Sequence, residues 1–143
     1  IKDGATTLYE DWKVDEERKG AMSRNHIMFG EISAWFYKAL GGIKPDPKNP
    51  GFKNILLQPN FVNDLEKFQA RFEGPRGWIY SSWEKKKDKV IYEVTVPPNS
   101  TAQLCLKGKT ILKKDGIDFS KNNDGTFEAP LESGNYRFEI KVK

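Results

Sequence analysis

Two residues near the start of the chain, Glu10 and His26, carry side chains that can move a proton. Glu10 is flanked by Tyr9 and Trp12 in a segment that combines hydroxyls, aromatic rings and two carboxylates. Sugar rings stack on aromatic faces and paired carboxylates cleave glycosidic bonds, so the segment is compatible with a carbohydrate site. On spacing alone, however, it is more typical of a surface glutamate and of a hydrogen-bonded histidine in a first helical turn.

Other kinds of chemistry find little support in the residue pattern. The sequence has no Gly-rich phosphate loop, no cluster of Cys and His at metal-ligand spacing and no HExxH motif. We therefore expect no cofactor and no metal. Cys105 stands between Leu104 and Leu106, which predicts a buried, inert thiol and not a nucleophile.

Composition and charge restrict the possible partners. A chain of 143 residues with 37% hydrophobic and 13% aromatic residues is long and apolar enough to fold around a core. The net charge is +4, and the densest basic run is Lys85 to Lys87. We interpret that run as a charged hairpin turn and expect no nucleic-acid partner, the alternative being an anion-binding patch. No apolar run approaches the ~20 residues that span a bilayer, so no membrane partner is expected.

The chain begins with Ile1 and not with Met, and no signal-peptide pattern follows. We therefore expect it to be part of a longer protein. Its single cysteine excludes an intrachain disulfide.

The stretch from Ser23 to Leu40 predicts one long helix. Apolar residues recur there at spacings of three and four, Ser23 is a suitable N-cap, and Gly41 with Gly42 can end the helix. The apolar stripe is wider than a surface helix needs, so the helix should be buried among other helices. The chain offers no second helix of comparable strength. We therefore expect residues 1–44 to be the last piece of a helical domain.

After a stiff, Pro-rich linker at residues 45–51, the pattern predicts strands separated by turns. Eight or so short strands at hairpin spacing, with no helix between them, are typical of an antiparallel β-sandwich. The predicted fold class is therefore mainly β. Residues 52–143 would form the sandwich, preceded by a loop and one long helix. The expected strands are residues 52–58, 65–73, 78–83, 90–96, 101–106, 110–112, 126–129 and 136–142.

Several segments in order resemble the C-terminal end of bacterial α-L-rhamnosidases, glycoside hydrolase family 78. They are ATTLYEDWK, SRNHIMFGEISAWFYKALGGI, PGFKNILLQP, GWIYSSW and VTVPPNSTAQLCL. The family pattern has a TLWE-type loop, a helix headed by Asn-His and ending in Gly-Ile, and a sandwich. The matching positions are Thr6, Thr7, Leu8, Glu10, Asn25, His26, Gly42, Ile43, Gly77, Ile79, Trp83, Val96, Pro97, Asn99 and Ala102.

The resemblance implies that residues 1–44 are the last loop and helix of an (α/α)6 catalytic barrel. It also implies an inverting hydrolase that acts on α-L-rhamnosides, in which Glu10 is the general base. His26 would contact the sugar, and Trp12 and Tyr9 would wall the same pocket. The sandwich would pack against the rest of the barrel. Rhamnose-containing glycosides are then the expected partners of the intact enzyme.

Two departures limit this expectation. The family has Trp where this chain has Tyr9, which keeps a flat ring and adds a hydroxyl. The general acid and most sugar-binding residues of the family lie earlier in the barrel and are not in this chain. Lost acid assistance alone is worth a factor of ~10²–10⁴, so the isolated chain is expected to be inactive.

An alternative from another functional class is a non-catalytic β-sandwich module. It would bind carbohydrate through Trp78, Tyr80 and Trp83, or would have a purely structural role in packing against the barrel. Of these two roles, packing is the interpretation that the sequence favours. Strand alternation puts Trp78 and Tyr80 on one face and Trp83 on the other, so at most one set belongs to the core.

Overall fold

A computed structural model describes residues 7–9, 23–108, 110–113 and 116–141 of the chain. Its internal contacts divide the chain into two compact units, residues 1–35 and residues 36–143. Among the described residues, no helix has both the length and the apolar character that crossing a membrane requires.

The first unit contains a 3₁₀ turn, Ile27–Gly30, followed by α1, Glu31–Trp35. The prediction that the helix begins after Ser23 is therefore wrong. The Ser23 hydroxyl instead accepts a hydrogen bond from the backbone N–H of Asn25 at 3.3 Å. Such a local bond from side chain to backbone competes with a helical turn. His26 occupies the N-cap position and makes no side-chain capping bond.

Among the described residues of the first unit, most large apolar side chains point outward. Ile27, Met28, Ile32 and Trp35 are 79%, 68%, 58% and 50% exposed. The helix was predicted to be buried, but no element among the described residues covers its apolar side chains. A protein surface that faces only solvent rarely exposes so many neighbouring apolar side chains.

The second unit begins with a π-helical turn, Phe36–Leu40, and continues as a β-sandwich, which confirms the predicted fold class. The ten described strands are β1 Ile43–Pro45, β2 Asn54–Leu57, β3 Lys67–Gly74, β4 Gly77–Lys86, β5 Lys89–Val96, β6 Thr101–Lys107, β7 Thr110–Lys113, β8 Ser120–Lys121, β9 Thr126–Leu131 and β10 Gly134–Lys141. Strands β1 and β8, both short, were not predicted.

The strands form two five-stranded sheets. Their orders are β1-β2-β6-β9-β8 and β3-β4-β5-β10-β7. Within the described sheets every pairing is antiparallel except β2 with β6, which run parallel with Asn54 opposite Thr101. The chain reaches β6 from β2 only after building the β3-β4-β5 meander of the other sheet. This crossover joins the two layers.

The core lies between the two sheets. Its largest fully buried side chains include Trp83, Tyr92 and Phe138 from one sheet and Ile55 and Leu104 from the other. Full burial of one such apolar side chain stabilises the fold by about 1.5–3 kcal/mol. Burial also raises the pKa of the Tyr92 hydroxyl.

The last helical turn is bonded to the sandwich. The indole N–H of Trp83 donates to the Leu40 carbonyl at 2.9 Å, and the Ser81 hydroxyl donates to the Gly41 carbonyl at 2.6 Å. Ser81 is also hydrogen bonded to the Tyr92 hydroxyl at 3.2 Å. These carbonyls have no intrahelical donor because a helix leaves its last C=O groups free. The sheet supplies the missing donors.

The backbone carbonyls of Ala39 and Gly42, which flank these two, also accept hydrogen bonds. Asn60 donates to the Ala39 carbonyl from its side-chain amide at 2.8 Å, and Gln58 donates its backbone N–H to the Gly42 carbonyl at 2.9 Å. Gly42 has a left-handed φ of 69°, as the predicted helix end requires. A Cβ on Gly42 would lie 2.2 Å from the Pro59 nitrogen.

The predicted linker contains a bonded turn around Asp46. The Asp46 carboxylate accepts from the Lys48 backbone N–H at 2.9 Å, from Asn49 Nδ2 at 2.8 Å and from Asn54 Nδ2 at 3.0 Å. These bonds, that of Asn54 above all, lower the pKa of Asp46. The turn therefore holds the start of β2 close to the end of β1.

The basic run forms the predicted hairpin. Strand β4 ends at Lys86, and Lys87, in a left-handed conformation with φ of 56°, begins the turn into β5. Lys85 Nζ donates to the Val62 carbonyl and, at 2.9 Å, to the Asn63 carbonyl. Lys86 forms an ion pair with Glu84. The ammonium groups of Lys85 and Lys86 thus have partners within the domain.

Cys105 is less buried than the sequence predicts. Leu104 and Leu106 point into the core, so Cys105 lies on the outer face of β6 and is half-buried instead of buried. Partial burial and, secondarily, the charge of Glu128 raise the pKa of the thiol. A raised pKa disfavours the reactive thiolate, which agrees with an inert cysteine.

We predict that Gly42→Ala destabilises the fold by about 2–5 kcal/mol, because left-handed strain adds to the clash with Pro59. Gly51→Ala is the matched control. Gly51 has a similar φ of 74°, but a Cβ there meets nothing within 4 Å. Its cost should be only about 1–2 kcal/mol. Urea unfolding of both variants measures the difference, and equal costs would contradict the close approach at Pro59.

We also predict that the turn at Asp46 loses strength in acid. Because the folded pKa is lowered, the stabilisation is present above the unfolded value of about 3.9 and is lost as pH falls through the folded pKa. The gap in unfolding free energy between wild type and Asp46→Asn should therefore narrow from about pH 6 to about pH 2. A constant gap across a pH series of urea titrations would count against this role.

Candidate functional site

The loop that precedes the helix is bonded to the residues at the helix head. The backbone N–H of His26 donates to the Leu8 carbonyl at 2.6 Å, and the Thr7 hydroxyl donates to the Arg24 carbonyl. Residues 7–9 and residues 24–26 therefore lie side by side in the first unit. Two of the segments that carry the family resemblance, the loop and the head of the helix, meet at this point.

The side chain of His26 is half-buried and packs on the first helical turn. Its ring lies 5.1 Å from the Phe29 ring at an interplanar angle of 31°. The His26 carbonyl also accepts the Phe29 backbone N–H at 3.1 Å, which closes the 3₁₀ turn. Backbone and ring contacts to the same residue hold the imidazole at the start of the helix.

The sequence-predicted site residues divide into two groups. Tyr9 is half-buried and directly follows Leu8, whose carbonyl binds His26, so the structure brings the Tyr9 backbone close to that of His26. Glu10 and Trp12 lie outside the described residues. Among residues 7–9, 23–108, 110–113 and 116–141, no group of three or more His, Cys, Asp or Glu side chains could hold a metal ion.

The proposed aromatic platform of the sandwich needs one correction. Trp83 is 2% exposed, and its indole donates to the Leu40 carbonyl, so it belongs to the core and cannot stack on a ligand. Trp78 is 42% exposed and Tyr80 is half-buried on the opposite face of β4. Only these two rings of the predicted platform face outward.

Sequence reasoning missed the polar residues beside these rings. Gln69, Ser82, Glu93 and Arg137 come from four strands and stand in one row across the outer face of the sheet. Alternation within β3 and β4 could have shown that Gln69 and Ser82 point outward. The row itself depends on the register between strands, which the sequence does not specify.

Comparison with protein families identifies the relationship. Residues 42–116, more than half of the chain, match the family model for the bacterial alpha-L-rhamnosidase C-terminal domain. The chain belongs to this family. Residues 1–40 match the bacterial alpha-L-rhamnosidase 6 hairpin glycosidase domain. The rhamnosidase resemblance inferred from the motifs is thus confirmed.

Curated proteins named alpha-L-rhamnosidase match along nearly the whole chain. An alpha-L-rhamnosidase of Alteromonas sp. is 36% identical over 99% of this chain, and one of Formosa agariphila is 31% identical over 99%. The chain spans only 16% and 17% of the length of these relatives. It therefore corresponds to a small part of such enzymes.

Solved rhamnosidase structures share the fold. The alpha-L-rhamnosidase from Dictyoglumus thermophilum matches 99% of this chain with a TM-score of 0.81 and 31% identity, over 17% of its own length. The Streptomyces avermitilis alpha-L-rhamnosidase, solved with L-rhamnose, also gives a TM-score of 0.81 over 99% of this chain and 14% of its own. At 23% identity the second likeness shows the fold alone.

Proposed function

We propose that this chain contributes the general base and one edge of the sugar pocket to a larger α-L-rhamnosidase. Glu10 is the proposed base. His26, Tyr9 and Trp12 are the proposed sugar contacts. The substrates would be α-L-rhamnosides, and hydrolysis would proceed with inversion at the anomeric carbon.

The observation that carries the proposal is the hydrogen bond between the loop motif and the helix motif, both of which belong to the segment that matches the glycosidase domain. The Leu8 carbonyl binds the His26 N–H two residues before Glu10 in the sequence. Glu10 follows Leu8 by only two residues in the sequence, so a carboxylate close to His26 is part of the proposal. Such a short tether supports a shared pocket for Glu10 and His26.

The proposed chemistry needs two carboxyl groups on opposite faces of the sugar. Glu10 takes a proton from a water molecule while the oxygen of that water attacks the anomeric carbon. A carboxylic acid supplied by another part of the enzyme protonates the departing glycosidic oxygen. In inverting enzymes the two groups stand about 6.5–9.5 Å apart, which leaves room for the water.

The aromatic residues and His26 would orient the sugar. The rings of Tyr9 and Trp12 offer flat apolar faces to the C–H surface of a pyranose, and the Tyr9 hydroxyl adds a hydrogen-bonding group at the ring edge. An imidazole held by Phe29 can donate to or accept from a sugar hydroxyl. Orientation of this kind lowers the entropic part of the barrier.

We further propose that the outward apolar residues of the first unit pack against the rest of the catalytic barrel. Ile27, Met28, Ile32 and Trp35 form an exposed apolar group that a free surface rarely carries. The relatives contain this C-terminal part within much longer chains. The division into barrel residues 1–44, linker 45–51 and sandwich 52–143 belongs to the same proposal.

We predict that Glu10→Gln in the longer enzyme lowers kcat on p-nitrophenyl α-L-rhamnoside by about 10²–10⁴-fold. The amide cannot accept the proton of water, whereas substrate binding should change little, so KM should stay near its wild-type value. Glu31→Gln, at an exposed position in α1, is the matched control and should keep normal kcat. Near-normal kcat for Glu10→Gln would sink the assignment.

A further inference from the structure

The outer face of the sheet formed by β3, β4, β5 and β10 combines aromatic rings with polar side chains. In one cross-strand row, Arg71 stands opposite Tyr80, which stands opposite Thr95, followed by Asn135. The neighbouring row is the one formed by Gln69, Ser82, Glu93 and Arg137. A flat, two-row surface of this kind runs across four strands.

Two depressions on this face adjoin each other. The larger has a volume of about 550 Å³ and is lined by β3, β4, β5 and Arg137 of β10. The smaller, of about 260 Å³, lies between β4, β5 and β10. Both are lined by Tyr80, Glu93 and Arg137, and the two adjoining depressions together are called the groove below. Two adjoining depressions suit a chain better than a single small molecule.

Next to the groove, the Arg71 guanidinium lies 3.8 Å from the centroid of the Trp78 ring. This cation–π contact places the Arg71 guanidinium over one face of the indole. Trp78 remains 42% exposed, and neither Trp78 nor Tyr80 belongs to the buried core. Two adjacent aromatic rings are thus presented outward without a packing role in the sandwich.

The charges of the groove are largely compensated within it. Arg137 Nε lies 3.3 Å from Glu93 Oε1, and Arg137 Nη1 lies 3.2 Å from Glu139 Oε1. Lys86 forms an ion pair with Glu84, which also stands opposite Lys67. A groove of paired charges offers no strong attraction to a polyanion or a polycation. It does offer fixed donors and acceptors.

We propose that this groove binds a neutral oligosaccharide chain. The Tyr80 ring in the groove and the Trp78 ring beside it match the apolar faces of sugar rings. Gln69, Ser82 and the paired Glu93 and Arg137 match hydroxyl groups. An apolar peptide helix would leave these polar groups unsatisfied. The inference concerns a surface of the sandwich and does not depend on Glu10 or on the proposed hydrolysis.

The test uses the whole 143-residue chain and calorimetric titration. The neutral probes are cellohexaose, xylohexaose and mannohexaose, and the anionic probe is hexagalacturonate. At least one neutral probe should bind saturably, with a Kd that stays constant between about 0.05 and about 0.5 M NaCl because no net charge is neutralised. Hexagalacturonate should bind more weakly than that probe.

Variants locate the site. Tyr80→Ala should weaken binding by about tenfold or more, since its ring lines both depressions and supplies contact area. Trp78→Ala should also weaken binding, but by less, because the Trp78 ring lies beside the groove and not in its lining. Gln69→Ala, on the edge strand, should also weaken binding and is a second variant if a ring deletion unfolds the chain. Leu112→Ala is the control, because Leu112 is 50% exposed on β7 of the same sheet and does not line either depression. Its Kd should equal that of wild type.

Three results would overturn the proposal. Absence of binding by every neutral probe would leave this face as a surface that packs against protein. Unchanged affinity in folded Tyr80→Ala and Gln69→Ala would place the sugar elsewhere. Preference for hexagalacturonate with a steep salt dependence would make the groove an anion site. None of these results bears on the kcat of Glu10→Gln, so the two proposals fail separately.

Discussion

The structure depends on four consecutive backbone carbonyls, Ala39 to Gly42, each of which accepts a hydrogen bond from the sandwich or the loop beside it. Two of these bonds, from the Trp83 indole and the Ser81 hydroxyl, are buried. Leaving one buried carbonyl unsatisfied costs about 1–3 kcal/mol, whereas a whole domain is stable by only about 5–15 kcal/mol. The helix end is therefore an integral part of the sandwich and not a free tail.

These bonded residues span the boundary between the two family matches, which end at residue 40 and resume at residue 42. A boundary between domains is commonly a mobile linker. Here the chain leaves the π-helical turn, reverses at Gly42 and enters β1 within three residues. The connection from the π-helical turn to β1 is therefore short and hydrogen bonded to the sandwich.

Much of the fold could be predicted from the sequence, because strand alternation and turn residues report directly on backbone geometry. The β-sandwich, the hairpin after Lys86 and the helix end at Gly42 follow from such local signals. The burial of Trp83 and the half-exposure of Cys105 did not follow, since they depend on which face meets the core. The predicted start of the helix was wrong because the Ser23 side chain bonds locally to the Asn25 backbone.

For the candidate site, the roles of Glu10, Trp12, Tyr9 and His26 rest on family resemblance. The groove on the outer sheet face required the register of four strands, which the sequence does not specify.

The most direct test of this account is amide hydrogen exchange at Gly41, whose N–H donates to the Phe36 carbonyl at 3.0 Å. If the sandwich holds the helix end, the Gly41 amide opens only when the sandwich unfolds. Its opening free energy should then lie within about 1 kcal/mol of that of Leu104 in the central strand β6. Exchange at Gly41 with an opening free energy several kcal/mol below that of Leu104 would show a frayed helix end and would contradict the account.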